Sequence, residues 1–291
     1  MNPSVASCTL AILLTCCVAV LPDPALAETQ YETIRDLVYA QHGEHALRAD
    51  VYHPTGGGPF PAVLCVHGGA WMFGNKLQMT RIARTLAEHG YTAVSINHRL
   101  APQHKFPAQI EDCRDAVRWM RRHATEYKIN SERIGGWGYS SGGHLVTLLG
   151  MSGDADLADR SGKMKPPPAD QSSRIQVVIA WGAPCDFRAV PADNEGLVYW
   201  LGDTRRRNPD AYRKASPIEF VSPDDPPILF CHGKNDHMVK IDQPTAMVSR
   251  LKSVGVIAEM CVVPEAGHIG TFLDDAALAE AVRFLDKHLK Q

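Results

Sequence analysis

The sequence predicts an α/β fold with a mostly parallel central sheet and helices on both of its faces. Three observations carry this. Apolar strand-like runs alternate with amphipathic helical segments along most of the 291 residues. Several runs, PAVLCVHGG among them, are continuously apolar, as expected of strands covered on both sides. Glycine-bearing turns close these runs (HGG, GYSSGG, HGKND, PEAGH), and strand ends in a parallel sheet gather at one edge.

In chain order, HALRADVYHP has a period-2 component and PAVLCV follows as a buried strand. LQMTRIARTLAEHG places Met79, Ile82, Ala83 and Leu86 on one helical face, with Gly90 as its stop. YTAVSINHRL reads as strand. Pro107 then opens a helix carrying Ile110, Cys113, Val117 and Met120 on one side. RIGGWGYS is strand and SGGHLVTLLG helix; IQVVIAWGAP and PPILFCHG are strands. Asp242 to Leu251 reads as a helix, with Asp242 as N-cap and Gly255 as stop. AEMCVVP is the last strand. The C-terminal helix lines Leu278, Val282, Leu285 and Leu289 on one side. Two segments break the rhythm. DADLADRSGKMKPPPADQSS is polar and Pro-rich, hence a surface loop. The irregular stretch 187–216 holds Tyr199, Trp200 and Tyr212, and is either a lid or pocket wall or a surface insertion patched by its own side chains.

The balance of charge, 30 basic against 32 acidic side chains with a formal net charge of −2, gives no electrostatic case for nucleic acid or an anionic membrane surface. Residues 1–27 contain no Lys or Arg. Their apolar run from Ala6 to Leu21, with Ala25-Leu26-Ala27 after it, has the pattern of a cleaved secretory signal, too short for a stable membrane span. The expectation is a domain over 28–291 that is secreted or periplasmic. Three of the eight cysteines lie in that leader. The other five, Cys65, Cys113, Cys185, Cys231 and Cys261, are an odd number and no disulfide framework. Buried thiols are expected at Cys65, Cys231 and Cys261, while a Cys185–Cys231 bridge stays open in an oxidising compartment.

The chemistry centres on Gly138-Tyr139-Ser140-Ser141-Gly142, a G-x-S-x-G between a strand and a helix. Small neighbours let strand and helix pass closely around a strained nucleophile. The register assigns the hydroxyl to Ser140 and leaves Ser141 as the first helical residue, its N–H aimed at a developing oxyanion. A serine needs a base. Asp236 stands just past one later strand and His268 in a turn after the last, giving the order Ser, acid, His. His237, Asp242 and Glu265 are the nearby competitors. After PAVLCV, the run His67-Gly68-Gly69-Ala70-Trp71 offers the N–H groups of Gly69 and Ala70 as further oxyanion donors, with Gly68 shaping the turn. His67 braces that loop rather than acting as a base. Trp71 either walls an acyl pocket or packs beneath the loop.

HGGAW, NHRLAP, FPAQIEDCRDAVRWMR, RIGGWGYSSGGHL, DDPPILFCHGKND and PEAGHIG together resemble the α/β-hydrolase esterases of the hormone-sensitive-lipase-like and acetyl-xylan-esterase-like branches, from about residue 45 to the C-terminus. The resemblance implies ester hydrolysis through an acyl-enzyme, with Ser140 as nucleophile, His268 as base and Asp236 as its orienting acid. The chain departs from the usual pattern at Ala70, at Tyr139 and Ser141, and at His98, where Tyr is usual. The expectation is a serine carboxylesterase acting on short acyl esters of small molecules or sugars. An amidase or peptidase with the same triad, or a non-catalytic binding protein, are the alternatives. No metal or organic cofactor is implied, since HExxH, paired CxxC and P-loop patterns are absent. The oligomeric state stays open.

Overall fold

The computed structural model describes residues 30–154 and 171–290. The leader 1–27 and most of the Pro-rich loop lie outside them. Eight strands form one sheet: β1 (Tyr31–His42), β2 (His45–Pro54), β3 (Phe60–Val66), β4 (Thr92–Ile96), β5 (Ile129–Tyr139), β6 (Val177–Trp181), β7 (Ile228–Gly233) and β8 (Ala258–Val263). Their order is β1-β2-β4-β3-β5-β6-β7-β8. Pairing is antiparallel from β1 to β2 and from β2 to β4, and parallel from β4 onwards.

The helices are α1 (Thr80–Glu88), α2 (Ala108–Arg122), α3 (Ser141–Ser152), α4 (Glu195–Leu201), α5 (Pro209–Lys214), α6 (Asp242–Ser253), α7 (His268–Leu273) and α8 (Asp275–Leu289). They bury their apolar stripes on opposite faces of the sheet. Ala62, Leu64 and Val66 of β3 join one core cluster with Ile110 and Val117 of α2 and Leu145 of α3. Val63 and Cys65, of opposite parity, join the other with Ile82 and Leu86 of α1 and Leu278 and Leu285 of α8. This alternation on a two-sided strand is why the run reads as uninterrupted apolar sequence.

Four features differ from the sequence reading. β1 has no simple alternation to detect, because its pairing with β2 shifts between Ile34 and Leu37 and again between Val38 and Ala40; each irregularity exchanges the faces its side chains occupy. Asp242 is the first residue of α6 and not its cap, which falls at Ile241 with no side-chain hydrogen bond. Cys185 and Cys231 do not pair. They belong to separate core clusters on opposite faces of the sheet, and both are buried free thiols. Cys231 instead stands in register with Cys261 on β8, which is a free thiol and only partly buried.

Register sets up the site. Val66 pairs with Gly138, Tyr139 with Trp181, Trp181 with Cys231, and Gly233 with Val263. The C-terminal ends of β3, β5, β6, β7 and β8 therefore share one edge, and the loops leaving them meet there.

Candidate active site

Ser140 occupies the turn between β5 and α3 with φ 55° and ψ −119°, in a region L-residues rarely adopt. Its backbone is held on both sides: its N–H donates to Trp181 O at 2.7 Å, and His144 N–H donates to Ser140 O at 2.9 Å. The flanking glycines make the turn fit. A Cβ on Gly138 would lie 2.1 Å from Gly142 O, and one on Gly142 would lie 2.1 Å from Val66 O. Backbone stands in the way at both points, so the chain itself would have to move. Gly138→Ala is accordingly expected to destabilise the fold by about 3 kcal/mol or more, read as a lowered denaturation midpoint at unchanged slope.

Asp236 and His268 reach Ser140 from the loops after β7 and β8. His268 Nε2 lies 2.8 Å from Ser140 Oγ, and His268 Nδ1 lies 2.6 Å from Asp236 Oδ2. Asp236 Oδ1 accepts the N–H groups of Met238 at 2.9 Å and Val239 at 2.8 Å, which fixes the carboxylate plane. Burial by itself pushes the Asp236 carboxyl up, but the His268 hydrogen bond and the Val239 amide outweigh it and hold the group below its usual range. His268 is buried at the start of α7 and not in an open turn. The competitors His237, Asp242 and Glu265 are all exposed.

The loop after β3 lies against this trio. Gly69 has φ 122°, and a Cβ there would sit 2.1 Å from Phe73 O, so only glycine fits. Ala70 and Trp71 follow with φ 52° and 62°. Gly69 and Ala70 line a cavity of about 530 Å³ together with Ser140 and His268. Ser141, buried, is the first residue of α3 and lines a second branch of about 210 Å³ that also contains Ser140 and His268. His67 is engaged elsewhere. Its Nδ1–H donates to Gly68 O at 2.8 Å, and its ring stacks on His98 at 4.3 Å. Burial pushes His67 down to about 3 and His98 down to about 4, so both are neutral braces for the loop.

Trp71 does two jobs. It lines the narrower branch, and it stacks on Trp200 at 3.8 Å. Its Nε1–H donates to His144 Nδ1 at 3.2 Å, and His144 Nε2–H in turn donates to Ala215 O at 2.7 Å. Two left-handed residues in succession need such fixing. The segment 187–216 is anchored from the same place. Trp200 is fully buried and donates to Gln109 Oε1 at 3.0 Å, while Phe187, Val190 and Leu197 face the narrower branch.

The sequence reading assigned no role to three side chains that matter here, although it noted Tyr139 as a departure from the usual elbow. His144 is the polar member of a buried apolar helix, and burial pushes it down to about 4, keeping it neutral. His232, four residues before Asp236, places Nε2 at 3.4 Å from Asp236 Oδ2 and hydrogen-bonds Val239 O at 2.8 Å, bracing the loop that carries the carboxylate. Tyr139 packs between His268 and Phe272, and burial with Asp236 nearby pushes its phenol up to about 12. A histidine inside an apolar helix, and another just before a strand-end glycine, were the available signals.

Comparison with known proteins finds esterases among the relatives of this chain. Esterase LipC of Mycobacterium tuberculosis is 30% identical over 241 residues, which is 80% of this chain and 59% of that protein. The ethyl acetate hydrolase of Pseudomonas putida is 27% identical over 271 residues, covering 89% of this chain and 84% of that one. This chain spans 54–60% of the length of the mycobacterial relatives it matches. Among solved structures, a truncated carbohydrate esterase from gut microbiota superposes with a TM-score of 0.81 at 27% identity, covering 91% of this chain and 99% of that chain. Residues 49–251 match the family described as BD-FAE. The chain belongs to the BD-FAE family, and its fold is that of the α/β-hydrolase esterases.

Proposed function

We propose that this protein is a serine carboxylesterase that cleaves short acyl esters through an acyl-enzyme. One observation carries the proposal: an unbroken hydrogen-bond line runs from Asp236 through His268 to Ser140 at the mouth of an apolar cavity. The names of the relatives, an esterase and an ethyl acetate hydrolase, support the same reading.

In the cycle, Ser140 Oγ attacks the ester carbonyl carbon while His268 Nε2 takes its proton. Asp236 stabilises the imidazolium so formed. The N–H groups of Gly69, Ala70 and Ser141 receive the negative oxygen, already oriented by the rigid loop and helix start. Collapse of the tetrahedral adduct breaks the ester C–O bond, and the alcohol departs with the proton from His268. Water, deprotonated by the same imidazole, then attacks the acyl-enzyme, releasing the acid and restoring Ser140. The acyl group occupies the narrower branch, where Trp71, Phe187 and Leu197 close off about 210 Å³. That volume suits a few carbons.

The test is a p-nitrophenyl ester series against an aminoacyl anilide panel. Acetate and butyrate are expected to be turned over at least about tenfold more efficiently than octanoate and laurate, since each methylene that the branch rejects costs discrimination. Anilide cleavage exceeding ester cleavage would replace this reading with an amidase. A fluorophosphonate probe that fails to label Ser140 would leave a non-catalytic binding protein.

A further inference from the structure

Among the described residues, nine large hydrophobic side chains are strongly exposed. Isolated examples are ordinary on any surface. Three of these nine converge on the site: Phe73 follows the loop of Gly69 and Ala70, Met238 follows Asp236, Ile269 follows His268, and all three line the wider branch. Three separate segments that build the site thus each turn an apolar group outward at its mouth. Clustering of this kind marks a binding surface.

The wider branch continues that apolar ring inward. Phe73, Met238, Ile269 and Phe272 line it, and apart from Ser140 and His268 its lining side chains contribute two polar groups, the Gln78 amide and the Tyr139 phenol. No carboxylate is among the described residues that line it. The branch also runs the right way for a leaving group. The departing oxygen must stand beside His268 Nε2 to take its proton, and Ile269 and Phe272 extend from His268 along α7.

Building on the esterase reading, we infer that the wider branch receives the alcohol portion of the ester and selects an apolar, aryl- or alkyl-bearing alcohol over a sugar. A sugar ring there would leave several hydroxyls stripped of water with few partners, whereas an apolar ring gains from every area it covers. The structural relative is named a carbohydrate esterase; the lining of this chain's cavity favours a different leaving group.

The experiment holds the acyl group constant as acetyl and compares kcat/KM for benzyl acetate, ethyl acetate and glucose acetylated on its primary hydroxyl. All are esters of primary alcohols, and the sugar alkoxide leaves at least as readily as the others, so intrinsic reactivity does not favour the benzyl ester. Benzyl acetate is expected to exceed the sugar acetate by about thirtyfold or more. Phe73→Ser and Ile269→Ser, both at exposed positions, are expected to lower the benzyl-to-ethyl ratio by about fivefold or more. A sugar acetate turned over as efficiently as benzyl acetate overturns the inference and leaves ester hydrolysis standing. The same holds if the two variants leave the ratio unmoved. If no acetate is cleaved and the fluorophosphonate does not label Ser140, the esterase reading itself falls, and this inference with it.

Discussion

Ser140→Ala is expected to lower kcat for a short acyl ester by roughly a hundred-thousandfold to a millionfold. The thermal midpoint is expected to stay within about 2 °C of the parent. The two halves of this expectation have separate causes. In the proposed mechanism catalysis depends on Oγ, which lies 2.8 Å from His268 Nε2, the proposed acceptor of its proton. Stability depends on the backbone turn at φ 55°, and alanine carries the same Cβ through it, so the strain is unchanged. The half-buried hydroxyl contributes one hydrogen bond, which water can replace. Residual hydrolysis above the rate in water is expected from the amides of Gly69, Ala70 and Ser141. Steady-state kinetics with a matched thermal melt checks both halves. A variant within about tenfold of the parent would move the nucleophile elsewhere.

Asp236→Asn is expected to cost about ten-thousandfold in kcat, and the hydrogen-bond geometry gives the reason. Oδ1 of Asp236 accepts two backbone N–H groups, from Met238 and Val239, while Oδ2 accepts Nδ1–H of His268. Asparagine has one acceptor oxygen. Turned toward the two amides, it leaves its NH2 facing His268, whose Nδ1 must then be the acceptor. The proton shifts to Nε2, and the imidazole can no longer take a proton from Ser140. The same substitution changes the pH dependence of stability. A carboxyl held below its ordinary 3.8 stabilises the fold fully above that pH and loses the contribution as pH falls through its lower folded value. The stability gap between parent and Asp236→Asn is therefore expected to narrow as pH drops below 3.8. Denaturant titrations at several pH values measure this; a gap that widens in acid would contradict the sign.

Much of the site was legible because its chemistry is carried by short-range rules. Gly138 and Gly142 mark the elbow because a Cβ on either would sit 2.1 Å from a backbone oxygen, a constraint that two glycines in a pentapeptide announce. Asp236 and His268 follow strand ends, and the parallel register carries those ends to one edge. His144 and His232 were not legible in the same way. His144 acts through partners far away in sequence, joining Trp71 to Ala215; His232 ties its own strand end to Val239 across a loop whose path the spacing does not reveal. β1 escaped because its register irregularities erase the alternation that a strand normally shows. The Cys185–Cys231 pairing failed on a point that no spacing reveals, namely which face of the sheet each thiol occupies.

By itself the sequence determined the layer order, the turn that strains Ser140, and the chain order of Ser140, Asp236 and His268 that the proposed mechanism uses. Those follow from local periodicity and from glycines that a backbone requires. Only the tertiary structure decided which of the acidic and imidazole groups near the strand ends is buried and in reach, how segment 187–216 closes one branch through Trp200 and Trp71, and that the other branch opens through an apolar ring. These are long-range matters. They depend on register across the sheet and on packing between residues scores of positions apart, and neither leaves a periodic trace in the chain.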